Sequence, residues 1–118
     1  MATTSNLDLL LQTKGVLVDT ANALQAALIG GGTDPVLQNE IWHALDDVEA
    51  EISRIKRAIL AIVGGSLVLA PPSPAIILAT QDLCDQVEAK LQGAAKVSAV
   101  VSLVSKLSGA VDKVLNKP

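Results

Sequence analysis

The chain has 118 residues, half of them apolar, with one Trp, no Phe or Tyr, and a formal net charge of −3. That length suits one domain over 1–118, whose interior must come from Leu, Ile, Val and Ala, which suit close helix–helix packing. The missing aromatics argue against a base-stacking surface, the negative charge disfavours duplex binding, and the lone Cys84 excludes an internal disulfide or a Cys-rich metal site, so no nucleic-acid partner is expected.

The first residues, Met1-Ala-Thr-Thr-Ser-Asn, show no basic region followed by an apolar core. No signal peptide is expected, and the cytoplasm is the default location. Ser5 reads as an N-cap with Asp8 at N3. Leu7, Leu10, Leu17, Ala21, Leu24 and Leu28 then follow helical spacing, so the first helix is predicted over about 6–29, ended by Gly30-Gly31-Gly32.

Asp34-Pro35 restarts the chain as an N-cap and N1 pair. The helix predicted over 35–63 carries the clearest pattern in the sequence. Ile41, Leu45, Val48, Ile52, Ile55, Ile59 and Ile62 alternate four and three apart and form one apolar stripe. On that register Ile52→Asp is expected to unfold the protein, because an unpaired buried carboxylate is very costly. Beyond Ala58 the helix is apolar on every side, which predicts a cover.

Twenty-four residues between Arg57 and Asp82 carry no charge, which is spanning length for a bilayer. Gly64-Gly65 and Pro71-Pro72-Ser73-Pro74 interrupt them and argue against a membrane helix. Ser73-Pro74 opens a third helix, predicted over 74–92. Its Leu83, Val87 and Leu91 face lies about 110° from that of Val97, Val100, Val104, Leu107, Val111 and Val114. A break near Gly93 is therefore expected, with a fourth helix over 95–115. The fold class is all-α, a four-helix up-down-up-down bundle; the alternative is a three-helix bundle with a long kinked last helix.

That threading sorts charge between the bundle ends. One end gathers Lys14, Arg54, Lys56, Arg57, Lys106, Lys113 and Lys117 against Asp8 and Asp112, a balance of +5, and the rest carries −8. The positive end also gathers Leu9, Leu11, Leu60, Val63, Leu67, Val68, Leu69, Ile77 and Leu78. Either Leu67 to Pro72 folds back over the core, or an apolar tip ringed by cations stands open to a partner.

The residues that carry chemistry give little. Glu40-Ile-Trp-His43 has the Glu-x-x-His spacing of paired-metal bundles, but that site needs the motif twice and the chain has one histidine. Pairing of His43 with Asp46 or Asp47 is the expected alternative. A phosphotransfer histidine would sit badly beside Ala-Leu-Asp-Asp-Val-Glu. Cys84 lies among Asp82 and Asp85, which raise a thiol pKa, so a small buried apolar role is expected. Gly30 to Pro35 lacks the Gly-Lys-Ser/Thr of a phosphate loop. Trp42 sits beside the main stripe, in the place of a core-edge filler or an interface anchor.

No catalytic residue, metal or cofactor is expected, and an enzyme would have to use His43 as its acid or base. The expected function is a non-enzymatic interaction module acting by self-association or through a protein partner. The alternative is lipid or hydrophobic-ligand binding at an anionic membrane surface, peripheral to the membrane. The interaction residues proposed from sequence are Leu67, Val68, Leu69, Arg54, Lys56, Arg57, Leu9 and Trp42.

Overall fold

The computed structural model describes residues 5–30, 35–92 and 97–115. They form α1 (Asn6–Gly30), α2 (Pro35–Val63), α3 (Pro74–Gln92) and α4 (Val97–Val114), with no strand among the described residues. The expected stop at Gly31 and Gly32, the Asp34 cap, the Gly93 break, residues 95 and 96 of the last helix, and Lys117 lie outside them.

Local chemistry sets the helix ends. The Asp8 amide donates to Ser5 Oγ and the Ser5 amide to Asp8 Oδ2, each at 3.1 Å, so residue 5 and residue 8 cap one another as a capping box does. Ser73 Oγ likewise accepts the Ile76 amide at 3.2 Å, ahead of Pro74 at N1. At the end of α2 the chain turns through Gly65, whose φ of 80° is comfortable only for glycine. There the Ser66 amide donates to the Ala61 carbonyl at 2.9 Å.

Cross-helix bonds fix the directions. Glu51 and Arg54 of α2 meet Ser108 and Asp112 of α4, so those helices run parallel. Thr13 and Asp19 of α1 meet Cys84 and Glu88 of α3, again in parallel. Asn6 at the start of α1 bonds Val114 at the end of α4, which makes that pair antiparallel. The chain therefore runs up, down, up, down, and α3 and α4 are separate antiparallel helices rather than one kinked rod.

The order around the bundle is α1, α2, α4, α3. Within the described residues α2 and α3 do not pack together, while α1 and α4 meet across the centre. The segment 64–73 joins diagonal helices, so it has to cross the bundle end.

The core is aliphatic, as the composition requires. Leu9, Leu10, Leu17, Ile41, Val48, Ile55, Val87, Leu107 and Val111 are among its most buried side chains. The hydroxyls of Thr13 and Thr20 enter this interior by donating to the carbonyls four residues back, Leu9 and Val16, both at 2.8 Å. Burial of the α2 stripe is complete at Ile55 but only partial at Ile52, Ile59 and Ile62.

Candidate functional site

The crossing segment covers part of the tip and leaves part open. Leu67 is half-buried and packs against the core, and Leu69 and Ala70 are half-buried beside it. Asn6 fastens the cover, its amide nitrogen donating to the Ala70 carbonyl at 3.0 Å and to the Val114 carbonyl at 2.9 Å. Val68 points outward at 71% exposure, with Leu78 on α3 at 68%. The tip is thus neither sealed nor bare.

Two residues proposed from sequence leave the interaction set. Leu9 is completely buried, because the register of α1 turns it into the core beside Thr13 rather than toward the tip. Arg54 is engaged inside the molecule. Its guanidinium bonds the carboxylates of Glu51 and Asp112 and donates to the Ser108 carbonyl at 3.2 Å. Burial alone would lower the Arg54 pKa, but the bonds to both carboxylates outweigh it and hold it above the ordinary value. By contrast Lys56 and Arg57 are exposed and form no ion pair with any described residue, and the same holds for Lys106 and Lys113 on α4.

Trp42 does not fill a core edge. It stands 57% exposed on the outer side of α2, and Leu60 and Val63 are 71% and 69% exposed further along the same helix. These three belong to a second, exposed stripe. Asn39, Trp42, Asp46, Glu49, Ser53, Lys56, Leu60 and Val63 alternate three and four apart, and every one is exposed. From Trp42 on each follows a residue of the core stripe by one position, so the row runs parallel to that stripe, about 100° around the helix from it. Its polar middle gives this row no apolar periodicity in the sequence.

The other reactive groups are inert or isolated. Burial, more than the nearby Asp85 and Glu88, pushes the Cys84 thiol up; its neighbour is the Thr13 hydroxyl at 3.8 Å. His43 is exposed and pairs with neither Asp46 nor Asp47. No three His, Cys, Asp or Glu side chains converge among the described residues, and no helix there is long and apolar enough to cross a membrane. A groove of about 440 Å³ between α2 and α4 is floored by Val48 and Val104 and rimmed by Asp47 and Glu51. A second, of about 240 Å³, lies between α3 and α4. No family model, no curated protein and no solved structure matches the chain.

Proposed function

We propose that the protein is a non-enzymatic interaction module that self-associates by antiparallel pairing of two α2 helices along their outer seam. The supporting observation is that this exposed seam is self-complementary when reversed about a two-fold axis near Glu51. Trp42 then meets the partner's Leu60, Asp46 meets the partner's Lys56, and Glu49 meets the partner's Ser53. Each contact occurs twice. The acidic first half of α2 faces the basic second half of its mate, whereas a parallel arrangement would set like charges together. Leu11 and Val18 on α1, also exposed and seven residues apart, lie on a side turned away from the Thr13 face that meets α3. They would widen the buried strip.

Sedimentation velocity across a concentration series tests this reading. A dimer at tens of micromolar, converted to monomer by Leu60→Asp with the helical content unchanged, is the expected result. Trp42 emission should shift to the blue on dimerisation, as the indole leaves water. A monomer at every concentration would remove the reading.

A second reading rests on the open part of the tip. Val63, Val68 and Leu78, with Lys56 and Arg57 earlier on α2 making no ion pair among the described residues, suit an anionic membrane surface. Trp42 discriminates between the two, because it precedes Leu60 by about 27 Å of helix. Vesicle docking through the tip would leave its emission unchanged. Cosedimentation with phosphatidylglycerol vesicles that survives high salt undiminished, or does not occur at all, would count against the tip.

A further inference from the structure

Ile29, at 88%, is the most exposed large aliphatic side chain among the described residues. It closes α1 at the end of the bundle opposite the tip, where Asn6 opens the same helix. Ile29 follows Leu11 by five full turns, so the two point the same way, away from the Thr13 face that meets α3. On α2, Glu51 and Arg54 face α4, and the row from Trp42 to Leu60 lies on the other flank of the core stripe. Both exposed rows therefore border one side of the bundle, the one formed by α1 and α2.

At the tip this side meets a pocket of about 330 Å³, lined by Leu7, Ile62, Leu67, Val68 and Leu69. Leu7 stands one turn before Leu11, so the pocket begins where the exposed row of α1 runs out. The heights of the two helices follow from shared linings. Asn6 and Leu7 share this pocket with Ile62, and Leu24 shares the α2–α4 groove with Ala44 and Val48. Ile29 accordingly stands level with about residue 40 of α2.

We infer that the Ile29 side chain of each chain docks in the tip pocket of its dimer partner. The docking rests on the antiparallel α2 seam proposed above, whose acidic half lies on the basic half of its mate and so sets the register. Reversal about the two-fold axis near Glu51 carries the level of Ile29 to that of the partner's Ile62, in the wall of the pocket. The contact occurs twice, one at each end of the dimer, beside the pairing of Trp42 with the partner's Leu60. A branched aliphatic group enters aliphatic walls and leaves water without stranding a polar atom. A parallel dimer would instead set Ile29 against the partner's Ile29. Membrane docking through the tip would leave Ile29 in water at the far end.

Sedimentation equilibrium of Ile29→Asp and of Val68→Asp tests the docking. Each should weaken the dimer by at least about tenfold at unchanged helical content, because both ends lose a buried apolar contact. Cross-linking reads the geometry. Ile29→Cys combined with Val68→Cys should give a covalent dimer on mild oxidation, and neither single variant should; the native Cys84 is buried and does not compete. No such link can form within one chain, since Ile29 and Leu7 lie about 33 Å apart along α1 and a disulfide spans about 7 Å at most between Cα atoms. A dimer that Leu60→Asp abolishes but Ile29→Asp leaves unchanged, with no cross-link in the double variant, overturns the docking while the seam stands. A monomer at every concentration, or a cross-link from Ile29→Cys alone, overturns both.

Discussion

The amide nitrogen of Asn6 lies 2.9 Å from the Val114 carbonyl oxygen, so the first turn of α1 is tied to the last turn of α4 across almost the whole length of the chain. The same nitrogen holds Ala70 of the crossing segment. Both of its hydrogens are used, one on a carbonyl at a helix end and one on a carbonyl of the crossing segment. Asn6→Ala should cost about 1–2 kcal/mol in chemical denaturation. Asn6→Asp should cost no less, because it sets carboxylate oxygens against two carbonyl oxygens. A variant as stable as the parent would mean that the tip needs no clasp.

Ile55 marks the most stringent point of the α2 stripe. It is completely buried, whereas Ile52 is only half-buried and can turn an introduced carboxylate toward water. The sequence expectation placed on Ile52→Asp therefore belongs at Ile55. Ile55→Ala should lower stability by about 2–5 kcal/mol, and Ile55→Asp should abolish folding. Circular dichroism with urea denaturation measures both. A folded Ile55→Asp protein would contradict the register.

Glu88 introduces a pH dependence. A hydrogen bond with Asp19 is the main reason its carboxyl titrates above the ordinary range, with burial and the Asp19 charge adding to it. Its folded pKa is raised relative to the unfolded chain, so folding favours the protonated acid. The stabilising contribution is present below the ordinary Glu pKa and is lost as the pH rises through the raised value, where two carboxylates repel. Glu88→Gln should therefore gain about 0.5 kcal/mol or less at pH 7, since the site is mostly solvated, and the gain should shrink on acidification. A gain that grows toward low pH would reverse the assignment.

Cys84 should be silent in the native state. With its thiol buried and held protonated, alkylation by iodoacetamide at pH 7.5 is expected to follow global opening, and to become fast only in denaturant. Rapid labelling of folded protein would show that α1 and α3 separate locally around Thr13.

Much of the architecture was legible because it depends on local rules. Ser5 with Asp8 and Ser73 with Pro74 announced helix starts, and the Ile41 to Ile62 stripe announced the buried face of α2. The incompatible phases of Leu83 and Val97 announced two helices rather than one. The arrangement around the bundle was not legible, since nothing local says that α2 and α3 lie on the diagonal. That choice depends on how Arg54 and Glu51 find Ser108 and Asp112, residues more than fifty positions away. The same long-range choice engaged Arg54 with Asp112 and Ser108 and gave 64–73 an end to cross. Sequence alone leaves Trp42 between a core edge and an exposed position, because a residue one place from a buried stripe can turn either way; its 57% exposure removes the core-edge role.

The proposed dimer has one specific antiparallel register, and a charge exchange within that register tests it most directly. In the proposed dimer Asp46 faces the partner's Lys56 at two equivalent places. Asp46→Lys alone and Lys56→Asp alone should each place like charges opposite one another and weaken association by about tenfold or more. The double variant restores both pairs and should dimerise nearly as well as the parent in sedimentation equilibrium at low salt. If the double variant associates no better than either single one, the seam is not the interface.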